Sequence, residues 1–252
     1  MKKLFFCVFI AIFSVFLLSC SKGDKKIVSK YSDGTPQLVD YYKGGKRVFQ
    51  ERYYSDGKLR SKGPYADSVR TGEWKFFFDN GKIFAKADFS DKREGRMWQV
   101  YKESGEQLID KTDKIISMSF SPEETLVDVT LQRGGKEVFY RFFESFRLMV
   151  EQNLVGNVPQ GRSLTWYENG KLNSEAYYRD GFEDSVHITY AETGQKMMIG
   201  HYKNGVKVGK WEFFNSEGKP MGTEIYDSDG KILKENENSG LILIRHSDKE
   251  DK

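Results

Sequence analysis

The sequence predicts an all-β protein built as an elongated array of antiparallel β-hairpins. Three observations lead there. A glycine phrase returns at intervals of 23 or 24 residues. Apolar and polar residues alternate on both sides of that phrase, with the period of two that a strand requires. The composition, 38% hydrophobic, 31% charged and 15% aromatic in 252 residues, is too polar for a thick core or a bundle of membrane helices. It is also too aromatic for a disordered chain.

The phrase is an aromatic residue, one to three polar residues, Gly, a polar residue and an aliphatic one. It reads Tyr54-Ser55-Asp56-Gly57-Lys58-Leu59, Phe78-Asp79-Asn80-Gly81-Lys82-Ile83 and Tyr167-Glu168-Asn169-Gly170-Lys171-Leu172. Looser copies surround Gly34, Gly105, Gly194 and Gly218. A second glycine follows eleven or twelve residues later: Gly45, Gly181, Gly205 and Gly230. A fixed period of this length marks a repeat architecture, in which each unit covers the apolar face of its neighbour.

Asn-Gly and Asp-Gly between alternating runs predict two-residue hairpin turns with positive φ at both central positions. Folding at Asn80-Gly81 sets Asp79 against Lys82, Phe78 against Ile83, Phe76 against Ala85 and Trp74 against Ala87. Trp74, Phe76, Phe78, Ile83, Ala85 and Ala87 then share one face. Folding at Asn169-Gly170 sets Glu168 against Lys171 and Tyr167 against Leu172. Gly72-Glu73-Trp74, Gly161-Arg162-Ser163 and Gly209-Lys210-Trp211 each lead into a further strand.

These phrases resemble the MORN repeat in its shorter bacterial form, over roughly 31–108 and 161–233. The resemblance implies an elongated, twisted ribbon of hairpins with a shallow groove. The His-Gly step of the longer MORN consensus is missing, so functions of the long-form members are not carried over.

Between the arrays, Leu126–Leu131 alternates and Gly134-Gly135 offers a turn into Val138 and Tyr140. A step of 24 back from Gly170 lands on Phe146, a worn repeat whose turn glycine has gone. Phe139, Phe142, Phe143, Phe146 and Val150 also fit a helical stripe. The continuing register favours strands. This stretch is the most apolar of the mature chain and marks the core or junction.

The first residues are an address. Met1-Lys2-Lys3 precedes an apolar run from Leu4 to Leu18, too short to span a bilayer as a helix. Leu17-Leu18-Ser19-Cys20 resembles the lipobox of bacterial lipoproteins. That resemblance implies cleavage before Cys20, which then carries lipid (palmitate among the chains) and holds the protein to a membrane. Ser21 in place of aspartate implies the outer membrane, where the cell has two. Cleavage removes Lys2 and Lys3, lowering the formal net charge from +3 to +1, so no nucleic acid partner is expected. It also leaves no free thiol.

The expected organisation is a signal peptide at 1–19, a lipidated tether at 20–30 and repeats at 31–108. Degenerate repeats or a junction follow at 109–160, repeats again at 161–235, and a capping strand with a charged tail at 236–252. Leu241–Ile244 is the apolar run of that tail.

Catalytic chemistry is not expected. The histidines are His187, His201 and His246; the first two lie in successive strands and could approach each other, but no third ligand completes a metal site. Gly156–Ser163 approaches a phosphate-binding loop, yet Arg162 replaces its lysine and a strand pattern follows. Glu123-Glu124 has no defined partner. No cofactor and no metal are expected. Trp74, Trp98, Trp166 and Trp211 lie in equivalent strands. They either fill the space between hairpins or form a face that stacks on sugars. The resulting expectation is a non-enzymatic scaffold for an envelope protein, with an envelope glycan-binding module as the alternative.

Overall fold

The protein was analysed as a computed structural model, which describes residues 23–90, 98–121 and 126–237. The signal segment, Cys20, Glu123-Glu124 and the 241–244 run lie outside the described residues. All regular structure among those residues is β, and every strand pair is antiparallel. The strands form two sheets with no strand shared between them.

The first sheet holds β1 (Asp24–Lys30), β2 (Pro36–Lys43), β3 (Lys46–Tyr53), β4 (Leu59–Ala66) and the short β5 (Val69–Arg70). It continues with β6 (Glu73–Phe77), β7 (Ile83–Asp88), β8 (Trp98–Tyr101) and β9 (Gln107–Ile109). The second runs through β10 (Lys114–Phe120), β11 (Leu126–Arg133), β12 (Lys136–Phe142), β13 (Leu148–Val155), β14 (Val158–Trp166) and β15 (Leu172–Arg179). It ends with β16 (Phe182–Tyr190), β17 (Lys196–Lys203), β18 (Val206–Phe214), β19 (Pro220–Tyr226) and β20 (Ile232–Glu237). Apart from β5, which pairs only with β4, neighbours in sequence are neighbours in the sheet. That is the order a hairpin repeat dictates.

Two turn geometries alternate. At Gly81 the Phe78 N–H donates to the Lys82 carbonyl at 2.9 Å, and the Gly81 N–H donates back to the Phe78 carbonyl at 2.9 Å. The glycine has φ +83°, while Asn80 is absent from the positive-φ residues. This is a three-residue loop, a type I turn closed by a glycine bulge. The expected two-residue turn is therefore corrected: Phe77, not Phe78, stands opposite Ile83, while Phe76↔Ala85 and Trp74↔Ala87 pair as expected. At Gly170, likewise, Trp166 faces Leu172 and Tyr167 closes onto the Lys171 carbonyl. The cause is the Asn side chain: its Oδ1 accepts the backbone N–H two residues on, at 2.9 Å for both Lys82 and Lys171. That bond holds Asn in an ordinary turn conformation. Gly34, Gly57, Gly105, Gly194 and Gly218 close the same loop.

The true two-residue turns come at the other end of the strands. Gly44-Gly45, Asp67-Ser68, Gly134-Gly135, Gly156-Asn157, Asp180-Gly181 and Asn204-Gly205 have positive φ at both positions. Gly230 breaks this alternation, because Asp227 closes onto Lys231 in the first geometry.

Among the described residues of 109–160 the regular structure is strand as well, and the helical stripe does not form. Phe146 stands in the left-handed position of its turn at φ +71°, with the bonds Phe143 N–H to Arg147 O and Phe146 N–H to Phe143 O at 2.8 and 2.9 Å. The worn repeat keeps its turn without its glycine, at a cost of about 1–3 kcal/mol. The polar stretch expected as a tether up to Lys30 is strand from Asp24 on. An edge strand needs only backbone pairing, here with β2, and its lysines blunt the open edge.

The core lies where the two sheets meet. Trp74, Phe76, Phe78, Phe84, Ala85, Trp98, Val100 and Ile109 of the first sheet are buried with Leu126, Val129, Leu131, Tyr140, Phe142 and Phe146 of the second. Phe84, on the side that simple alternation turns outward, is fully buried, while Ile83 is half-buried. Arg147 fixes the junction. Its Nη1 and Nη2 donate to Asp79 at 3.2 and 2.9 Å, and its Nε and Nη2 to Glu103 at 2.9 and 3.1 Å. Arg60 of β4 reaches the other way, with Nη2 on the Glu144 carbonyl at 3.0 Å and Nη1 at 3.5 Å from its carboxylate.

Candidate partner-binding face

The turn phrase explains how successive repeats are held in place. The Tyr31, Tyr54 and Tyr167 hydroxyls donate to the carbonyls of Tyr53, Phe77 and Tyr190, at 2.8, 2.7 and 2.8 Å. Asn169 Nδ2 donates to the Glu192 carbonyl at 3.0 Å, and Lys171 Nζ to the Thr193 carbonyl at 2.7 Å. Each bond crosses to the next turn of the same kind. The recurring phrase is thus a set of fasteners between repeats.

The four tryptophans divide. Trp74, Trp98 and Trp211 are buried. The Trp74 ring lies on Gly63 and the Trp211 ring on Gly200, in space that a Cβ would occupy. Trp74 Nε1 donates to the Pro64 carbonyl at 3.0 Å. Trp166 is half-buried and stands three residues further along its strand, so it is not the counterpart of the others; Ser163 is. The expected equivalence of the four is corrected accordingly: Trp74, Trp98 and Trp211 take the packing role, one of the two readings, and fill the interior of the array, while Trp166 stands apart from them.

Beyond the core, a central row of the second sheet, Ser163, Ala176, His187, Gly200 and Trp211, is buried apart from the half-buried His187, and the rows on either side of it are less covered. The register aligns Thr165, Ser174, Thr189, Met198 and Phe213 in one row across β14–β18, and all five are half-buried. Their counterparts in the first sheet, Phe76, Ala85, Val100 and Ile109, are buried under β10–β13. Beyond Leu148, no described residue joins that core. On the other side of the central row lies a second flanking row, in which Gly161 faces Tyr178, Ser185 faces Tyr202 and Gly209 faces Tyr226. All three tyrosines are half-buried.

Several polar groups on this face are partnered, whereas the buried Trp211 Nε1 has no hydrogen-bond partner. Glu183 accepts from the Tyr178 hydroxyl at 3.1 Å and lies 3.0 Å from His187 Nδ1. Burial, with the Glu183 carboxylate beside it, pushes the Tyr178 hydroxyl up to about 12. His187 also meets Tyr202 edge-on, with ring centroids 5.6 Å apart. His201 pairs with Val186, not His187, so the two imidazoles do not form a site. Among the described residues, no group of three or more His, Cys, Asp or Glu could hold a metal ion. Gly156-Asn157 is a hairpin turn running into β14, not a loop before a helix, so the phosphate-loop geometry does not arise. The sequence pattern missed this face because nothing in it says which array is covered.

The fold and face define a protein of stacked β-hairpin repeats. Three stretches, residues 50–67, 70–91 and 159–180, match the MORN repeat variant, and the chain carries MORN-type repeats. No curated protein matches the chain. Among solved structures, similarity is found to a TcdB2-TccC3-TEV crystal structure (11% identity, 82% of this chain and 14% of that chain, TM-score 0.20). A TcdB2-TccC3 structure without its hypervariable C-terminal region is 12% identical over 85% of this chain and 11% of that chain, TM-score 0.20. The Photorhabdus luminescens Tc holotoxin pore is 11% identical over 84% of this chain and 15% of that chain, TM-score 0.19. The chain spans only a small fraction of the length of each.

Proposed function

We propose that this chain is a membrane-anchored bacterial lipoprotein whose hairpin array serves as a non-enzymatic protein-binding scaffold in the cell envelope. The observation that carries the scaffold reading is that the row of Thr165, Ser174, Thr189, Met198 and Phe213 stays half-buried where the matching row of the first sheet is fully buried. A face with half-buried Tyr178, Tyr202, Tyr226, Met198 and Phe213 has the aromatic and Met enrichment of protein interfaces. The burial of Trp74, Trp98 and Trp211 removes three of the indoles on which a sugar-stacking module would depend. The anchoring part of the proposal rests on the lipobox resemblance at Leu17–Cys20.

A photo-crosslinking side chain placed at Thr189, in intact cells, tests the scaffold. The expected result is a discrete protein adduct, absent when the crosslinker replaces exposed Lys219 instead. Adducts with peptidoglycan alone would favour the glycan module. Adducts from neither position would remove the scaffold reading. Cys20→Ser tests the anchor separately, and is expected to release the protein from the membrane fraction.

A further inference from the structure

Nine described turns share the loop in which Gly81 sits. The residue two before the left-handed position is acidic in five of them: Asp79, Glu103, Glu144, Glu168 and Glu192. The others carry serine there: Ser32, Ser55, Ser216 and Ser228. Three of the five acids hold an arginine from the opposite sheet. Asp79 and Glu103 grip Arg147, and Glu144 holds Arg60. Glu168 and Glu192 are exposed and stand 24 residues apart, like Asp79 and Glu103.

The two acidic pairs sit in matching frames. Lys82 Nζ reaches the Glu103 carbonyl at 3.0 Å, and Lys171 Nζ reaches the Thr193 carbonyl in the following turn at 2.7 Å. Asn80 and Asn169 both extend Nδ2 to the next turn's glutamate, on its side chain in one case and its carbonyl in the other. The first pair shows what such a frame accepts: a guanidinium bonded twice to each carboxylate. A planar fork of N–H donors suits that geometry, whereas a lysine ammonium does not.

We propose that the Gly170 and Gly194 turns form a receptor for an arginine on a protein partner, with Glu168 and Glu192 gripping it as Asp79 and Glu103 grip Arg147. The partner presents that arginine from a turn, and its flanking side chains lie over Thr165, Thr189 and Met198. This names the site and chemistry of the scaffold reading, on which it rests. The first sheet's pocket takes a phenylalanine beside its arginine. The polar row here takes a less apolar neighbour.

The test uses a fluorescent, backbone-cyclised hairpin peptide copying residues 140–150 with Phe146→Gly, so that no ring is set on the polar row, and a twin carrying Arg147→Lys as well, titrated against the full processed chain. The peptide should bind. Glu168→Gln with Glu192→Gln should weaken it at least tenfold, as should the lysine twin. Glu217→Gln, an exposed acid beside Lys219, should leave it unchanged. Equal binding by the double variant, equal binding of the twin, or no binding up to millimolar peptide would each overturn the receptor. The Thr189 crosslinker in the double variant separates the two ideas. Adduct lost there supports the receptor; adduct retained overturns it and leaves the scaffold standing.

Discussion

Phe146 stacks on Phe84 with ring centroids 4.5 Å apart and planes 6° from parallel, although Phe146 occupies a backbone position that glycine holds in the other turns of its kind. A residue that pays for a left-handed φ does so because its ring gains a buried place. Here that place is in the opposite sheet, against Phe84 and edge-on to Phe76 at 6.3 Å. Arg147, the next residue, carries the charge that the first sheet's turn acids require. The degenerate repeat is thus the fastener between two arrays, and its departure from the phrase is what makes it one.

Acid should loosen this junction first. The Arg147 hydrogen bonds hold the Asp79 carboxyl below the usual carboxylate range, and those of Arg133 do the same for Asp113. A depressed folded pKa stabilises above the unfolded value, near 4, and that stability is lost as pH falls through the folded value. Melting temperature should therefore fall as pH drops below about 4, and Arg147→Ala should flatten part of that fall. At the alkaline end, burial pushes Tyr41 and Tyr140 up to about 12. Raised folded values stabilise below the unfolded one, so stability should decline from about pH 10 upward.

Gly200→Ala should destabilise by about 1–3 kcal/mol, because the new methyl enters the space of the Trp211 indole and a packed interior does not yield cheaply. Gly63→Ala should behave alike through Trp74. Denaturant unfolding followed by tryptophan fluorescence measures both. A neutral outcome would mean the indoles do not lie flat on those glycines.

Tyr54→Phe removes the hydroxyl that donates to the Phe77 carbonyl while keeping the ring. A loss of about 0.5–1.5 kcal/mol is expected, with faster amide exchange around Gly57 and Gly81. Tyr167→Phe should do the same around Gly170 and Gly194.

Much of the fold was legible because the glycine phrase binds local geometry to chain position. The period placed the turns at Gly34, Gly57, Gly81, Gly105, Gly170, Gly194 and Gly218, and even at Phe146. Turn type was not legible from the dipeptide. Asn-Gly at 80–81 and at 204–205 yields different loops, and which one forms depends on whether the Asn side chain caps a backbone N–H or itself turns left-handed. Pairing by dipeptide therefore misplaced Phe78 against Ile83. The division into two sheets was hidden for another reason. The repeat period runs on through 109–160, whereas the break depends on Phe142, Phe146 and Arg147 finding partners far earlier in the chain, at Phe84, Asp79 and Glu103. Equivalent strand positions pointed to Trp74, Trp98 and Trp211 as interior residues without saying that the row beside the indole is fully buried in one array and half-buried in the other. The half-buried rows, and the acids at Glu168 and Glu192, become meaningful only beside their occupied copies.

The most direct measurement of the central relationship is a double-mutant cycle between Phe84→Ala and Phe146→Gly, read by denaturant unfolding. Glycine at 146 relieves the backbone, so the cycle isolates the ring contact. A coupling of about 1 kcal/mol is predicted, in the range for a buried aromatic pair. Additive effects with no coupling would contradict the account, since the worn turn would then not be joining the two sheets.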